Sequence, residues 1–137
     1  MVISGEDSSP KEVVICGYED IILARQYARQ AAQHMGFSVM DQTKIVTAVS
    51  ELARNIVVHA GKGKMIATRR HDALVLRFQD NGPGIVDINK ALSKGFSTTN
   101  SLGLGLSGAK ALSDSFDIQS AQGQGTSITI AKYLRKH

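Results

Sequence analysis

Thr43, Thr47, Glu51, Asn55 and His59 recur at every fourth position in one stretch of the chain. On an α-helix such a row drifts by about 40° per step, so it starts on the solvent side and reaches the edge of an apolar face near Asn55 and His59. Glu51 and Asn55 lie one turn apart and can point into one pocket. A carboxylate beside a neutral amide suits a base next to a ligand for a hard cation. A solvated helix face gives the same row, and the spacing alone does not separate the two.

The segment Asp80-Asn81-Gly82-Pro83-Gly84 follows an apolar run. An aspartate that ends a strand without a basic neighbour could accept a hydrogen bond from an amino group. Two glycines one residue apart let the backbone approach a ligand closely or turn tightly. Asn-Gly and Gly-Pro are also ordinary turn formers, and a plain turn accounts for the segment equally well.

Gly103, Gly105 and Gly108 form a G-x-G-x-x-G pattern at the start of a helical stretch. Exposed amides at a helix start bind phosphate. A dinucleotide fold would need a strand directly before the glycines and an acidic residue about 20 positions later. Here Ser97 to Ser101 is a polar loop, and Asp114 and Asp117 come too early. Lys110 is separated from Gly108 by Ala109, which removes the phosphate-loop signature. A phosphate-binding helix start under a polar lid remains, beside a triple glycine with structural duties only. Gly123, Gly125 and Thr126 mark a further tight turn, for which a hairpin is the ordinary reading. The histidines His34, His59, His71 and His137 are scattered and have no cysteine companion, which argues against zinc. No nucleophile elbow surrounds Ser97 or Ser101.

These residues need a scaffold. Residues 12–17, rich in Val and Ile, read as a strand. A helix from Asp20 to Gly36 carries Ile22, Leu23, Tyr27, Ala31 and Met35 near helical spacing. A second helix opens at Ser38, with Asp41 three residues on as a capping-box variant, and runs to about Ala60. Ile45, Val49, Leu52 and Ile56 mark its core face. Residues 64–70 and 73–79 read as a hairpin turning at His71 and Asp72, with Leu74, Leu76 and Phe78 alternating. A short helix after Asp87, a mobile polar loop over 95–102, a helix from about Leu104 to Ser113, and strands over 116–120 and 126–133 complete the chain. This order predicts an α/β fold, a two-layer sandwich of a mixed sheet with helices on one face.

The chain has 137 residues, 42% of them hydrophobic, enough for one domain with a real core. Residues 1–11 read as a flexible leader and 12–137 as a single domain. No apolar run can span a bilayer, and no secretory signal opens the chain. The single cysteine, Cys16, sits in an apolar run and is expected to be a buried structural thiol in a reducing cytoplasm. The net charge of +4 comes from scattered basic residues with few aromatics; an anionic small ligand or an acidic partner face explains it as well as nucleic acid does, and the charge alone decides nothing. No nucleic-acid or membrane partner is expected.

Taken in order, Glu51-x-x-x-Asn55, Asp80-x-Gly82-x-Gly84, Gly103-x-Gly105 and Gly123-x-Gly125-Thr126 resemble the asparagine box and the three glycine boxes of the GHKL ATPase superfamily, whose domain is the Bergerat ATP-binding fold. The resemblance covers about Glu12 to Leu134. No phosphorylatable-histidine helix pair precedes it and no transducer domain follows it, which favours the stand-alone bacterial anti-sigma-factor and switch serine kinases. Glu51-Leu52-Ala53-Arg54-Asn55-Ile56 and the run from Gly95 to Gly108 look most similar to the switch kinases of stress-signalling complexes. Such kinases phosphorylate a serine on a small STAS-domain antagonist and then engage a phosphatase, whereas the anti-sigma kinases sequester a sigma factor.

The resemblance implies ATP and Mg²⁺ as cofactors, with Asn55 as metal ligand and Glu51 as the base that accepts the serine proton. It implies that Asp80 recognises the adenine amino group, with Thr126 helping through water, and that Gly82 and Gly84 allow close approach to the base. Gly103, Gly105 and Leu106 would present amides to the phosphates, and Phe96 would sit before the lid. Arg25 and Arg29, one turn apart on the first helix, suggest a partner-facing basic patch, for which ordinary solvation is an equal account.

Overall fold

The computed structural model describes residues 9–85 and 106–135. Its elements are β1 (Lys11–Ile15), α1 (Tyr18–Met35), α2 (Val39–Asn55), a π-helical turn (Ile56–Ala60), β2 (Gly63–Arg69), β3 (Ala73–Asp80), α3 (Leu106–Leu112), β4 (Ser115–Ser120) and β5 (Thr126–Tyr133). The short helix expected after Asp87 and the loop expected over 95–102 lie outside the described residues, as does the leader up to residue 8. Lys11, assigned above to the leader, opens β1.

Local chemistry sets the helix ends. Gly36 stops α1 in the left-handed region at φ +92°, and its amide and that of Phe37 return to the carbonyls of Gln33 and Ala32. Ser38 then caps α2 by accepting from the Asp41 amide at 3.1 Å. On α2 the expected core face holds, with Ile45, Val49, Leu52 and Ile56 all buried. On α1 it does not. Ile22 and Leu23 are each 54% exposed, and the inner face is built from Ala24, Ala28, Ala31 and Ala32. Small side chains there let α1 lie close against α2.

Cys16 also departs from expectation. β1 ends at Ile15 and the chain turns outward, leaving Cys16 exposed. Its amide donates to Asp20 Oδ2 at 2.9 Å, and its Sγ lies 3.5 Å from the same oxygen. The adjacent carboxylate raises the thiol above its ordinary value, so exposure does not make it a thiolate nucleophile.

The five strands form one sheet in the order β1-β2-β3-β5-β4, and every neighbouring pair is antiparallel. The sheet is therefore antiparallel throughout these strands rather than mixed. The reason lies in the connections: α1 and α2 together return the chain for β2, while β3 and β4 share a direction but have β5 between them. Met65, Leu76, Phe78, Ile128 and Ile130 face the helices and are buried, while Arg77, Asp117 and Gln119 on the other face are exposed. Burying each large apolar side chain in this layer contributes about 1.5–3 kcal/mol. The expected two-layer α/β sandwich is the fold observed.

Candidate functional site

At its C-terminal end α2 carries Glu51 and Asn55, both half-buried. Directly after Asn55 the helix widens. The Gly61 amide donates to the Ile56 carbonyl five residues back at 2.7 Å, closing a π-helical turn. Such turns are frequent at functional sites because they re-aim the side chains around them. The helical stretch ends where the sequence places it, but its last turn is π rather than α.

That turn is seated by two glycines. A side chain at Gly63 would strike Ile56 Cγ2 and the Gln79 carbonyl, and one at Gly82 would stand 2.7 Å from Ala60 Cβ. Gly63 is also the cross-strand partner of Asp80. The missing side chains therefore bring the end of α2 down beside the end of β3.

Asp80 ends β3 half-buried, and its Oδ1 accepts from the Gly82 amide at 2.8 Å. Burial pushes its carboxyl up, while the amides of Gly82 and Thr126 and the charge of His59 pull it back, leaving a net upward shift. The result is a partly desolvated acceptor on the sheet edge next to the π turn. Thr126 faces Asp80 directly across β3 and β5, and Ser120 faces Thr126 across β4 and β5. The loop after Asp80 is bound to the β4–β5 turn: the Gly123 amide donates to the Pro83 carbonyl at 2.7 Å, and the Ile85 amide donates to Ser120 Oγ at 2.8 Å. Gly84 at φ +80° lies against the Ala121 carbonyl, and Gly125 at φ +79° lies against the Asp80 carbonyl. In this structure Gly82, Gly84 and Gly125 thus serve the approach of one chain segment to another.

The helix end that carries a carboxylate and an amide thus lies beside a sheet edge that carries a half-buried carboxylate and a hydroxyl. Residues 40–136 match the family described as histidine kinase-, DNA gyrase B- and HSP90-like ATPases. The chain belongs to this ATPase family.

Within that ATPase family, the chain is 48% identical over 120 residues to the serine/threonine-protein kinase RsbT of Bacillus subtilis, covering 85% of this chain and 90% of that one. It is 31% identical over 107 residues to the anti-sigma F factor of the same organism, covering 71% and 73%. A solved structure of the RsbU and RsbW domains of Rv1364c from Mycobacterium tuberculosis superimposes with a TM-score of 0.68 at 20% identity. That superposition spans 95% of this chain and 34% of the other, and it establishes the shared fold alone.

The ATPase fold collects some of the residues singled out above but not all. Asp80, Gly82, Gly84 and Thr126 meet at one sheet edge, with Glu51 and Asn55 on the helix end that the π turn joins to it. Leu106 belongs to α3 and its side chain is buried in the core. Phe96, Gly103 and Gly105 lie outside the described residues. A surface depression of about 1250 Å³ touches Asp80, Gly125 and Thr126 but extends over Lys64, Gln79 and Ser127. Glu51 and Asn55 are not among its described lining residues, so this depression is not the place where the end of α2 meets the sheet edge. Two positions escaped the sequence reading: Gly63, whose signal was a glycine at a strand start, and Ser120, whose strand position carries no motif.

Proposed function

We propose that this chain is a protein-serine kinase that transfers the γ-phosphate of ATP to a serine of a small STAS-domain antagonist. Phosphorylation would release the kinase to a second partner, a phosphatase or sigma factor, in a cytoplasmic partner-switching pathway. The supporting observation is the 48% identity to a serine/threonine-protein kinase across 90% of that relative's length. The site chemistry agrees with it.

Asp80, desolvated and held by the Gly82 amide, is an acceptor suited to the adenine amino group, and Thr126 stands beside it. Asn55 is the neutral oxygen donor at the α2 end. Among the described residues no cluster of three acidic, histidine or cysteine side chains could hold a metal alone. A divalent ion here would be shared between Asn55 and phosphate oxygens, the arrangement Mg²⁺ favours. Bound there, the ion would neutralise phosphate charge. Glu51, one turn before Asn55, accepts the proton of the incoming serine hydroxyl. Phosphoryl transfer asks the protein chiefly for positioning and charge neutralisation, so a single carboxylate suffices as base. Gly103, Gly105 and Leu106 would supply phosphate-facing amides, with Phe96 before the lid.

The test is transfer of labelled γ-phosphate from Mg-ATP to proteins of source-cell extract, with Glu51→Ala beside the wild type. One small protein carrying phosphoserine, absent with Glu51→Ala, is the expected result. Free phosphate without a labelled protein would overturn the kinase reading in favour of an ATPase. The 31% identity to an anti-sigma F factor favours a second reading, in which the chain sequesters a sigma factor. Nucleotide-dependent co-purification with a sigma factor would select it.

A further inference from the structure

Ser120 sits at the junction of three hydrogen bonds. Its Oγ accepts from the Ile85 amide at 2.8 Å, lies 2.9 Å from the Gly125 carbonyl, and lies 2.7 Å from Thr126 Oγ1. A serine hydroxyl has one hydrogen and two lone pairs. The Ile85 amide can only donate, so it occupies one lone pair. The Gly125 carbonyl can only accept, so it takes the hydrogen. All three contacts are then made together in one way alone: Thr126 donates its hydroxyl hydrogen into the second lone pair of Ser120. The group is half-buried, where an unmade hydrogen bond costs most.

The consequence falls on Thr126. With its hydrogen committed to Ser120, its oxygen presents only lone pairs to anything beside Asp80, its cross-strand neighbour. Two acceptors then stand side by side at the sheet edge, one carboxylate and one hydroxyl oxygen. We infer that Ser120 is a positioning residue that fixes Thr126 as an acceptor, so that the site takes a purine with an amino group at ring position 6 and rejects one with a carbonyl there. This rests on the reading of the Asp80 edge as the base-binding end of the site. Without Ser120, the Thr126 hydrogen is free to rotate toward a carbonyl, and the discrimination weakens.

The test is the ratio of ATP to GTP affinity, by titration of fluorescent analogues, in wild type, Ser120→Ala, Ser120→Thr, Thr126→Val and the double variant Ser120→Ala/Thr126→Val. Wild type should prefer ATP. Ser120→Ala should lower the ATP-to-GTP ratio about tenfold, the scale of one misplaced hydrogen bond. Ser120→Thr, which keeps the hydroxyl, should restore the ratio. In the Thr126→Val background, adding Ser120→Ala should leave the ratio unchanged, because Ser120 acts through Thr126. Parallel loss of both affinities in Ser120→Ala, with the ratio kept, would make Ser120 merely structural and overturn the inference. Equal wild-type affinities for ATP and GTP would overturn it while leaving the ATP reading intact, and binding of neither would remove that reading itself. Should Ser120→Ala not fold, an unchanged ratio in Thr126→Val overturns the inference.

Discussion

The Ile56 side chain rests on Gly63, in the space that any other residue at 63 would fill with its own side chain. Gly63 is the cross-strand partner of Asp80, and Ile56 follows Asn55 directly. This contact therefore sets how far the helix end stands from the strand end. Gly63→Ala would press on the Gln79 carbonyl, which is backbone and cannot swing away. A loss of about 1–3 kcal/mol is expected, read from the urea midpoint, together with weaker ATP binding. Gly108→Ala, on α3 where a Cβ meets nothing, should instead stabilise by up to about 1 kcal/mol.

Asp80 carries a stability cost whose sign can be worked out. Burial holds its folded pKa above the value of 3.8 that applies unfolded, against the pull of Gly82, Thr126 and His59. The folded state therefore holds the proton more tightly. Stability from this group is full below the unfolded pKa and is lost as pH rises through the folded one. Relative to wild type, Asp80→Asn should gain thermal stability as pH is raised from about 3.5 to 6, because only the wild type titrates there. ATP affinity should fall about tenfold or more in the same variant, since the charged acceptor is gone. A melting-temperature difference that is flat across this range would refute the shift.

Much of this was legible in the chain itself. The 3.6-residue period of Ile45, Val49, Leu52 and Ile56 fixed α2, and the Gly36–Ser38 junction fixed the helix boundary, because caps and periodicity are local properties. On α1 helical spacing alone does not say which side faces inward: Ile22 and Leu23 compete with the alanines for it, and tight packing against α2 selects the smaller set. Cys16 was misread because the strand stops one residue before it. The π turn left no trace in composition, since π and α turns use the same residues. The strand pairing that joins Asp80, Thr126 and Ser120 is a long-range property, and only the sheet register reveals it.

Far from Asn55, an ion cluster around the buried Lys132 ties the start of α2 to β5 and to Asp114, just before β4. Lys132, 7% exposed, lies 3.5 Å from Asp114 Oδ1 and 3.8 Å from Asp41 Oδ1. Asp114 also accepts from the Tyr133 amide and from Arg135, each at 2.7 Å. Burial alone would raise the Asp114 carboxyl, but the Tyr133 amide, Lys132 and Arg135 outweigh it and hold it low. Its contribution is present above the unfolded value of 3.8 and is lost as pH falls through the lower folded value. Asp114→Asn should cost about 1–3 kcal/mol at pH 7 and progressively less as pH drops below that value. ATP affinity should not change, because Asp41 and Asn55 stand about 21 Å apart along α2.

Glu51 and Asn55 share one turn of α2, yet the proposed roles separate them experimentally. A base acts only on the acceptor hydroxyl, whereas a metal ligand acts on the nucleotide complex before any acceptor arrives. Glu51→Gln keeps the size and hydrogen bonding of the side chain and removes only its basicity. It should leave Mg-ATP affinity within about twofold while slowing transfer by about 10²–10⁴, the usual worth of a general base. Asn55→Ala should instead abolish Mg-dependent ATP binding, with a smaller effect on nucleotide binding when the metal is chelated. Single-turnover transfer and equilibrium titration, run with and without Mg²⁺, read the two effects independently. If Glu51→Gln lost ATP binding as completely as Asn55→Ala, the carboxylate would belong to the metal site and the serine proton would need another acceptor. If Asn55→Ala kept full transfer, the metal would be held elsewhere, and α2 would contribute only the base.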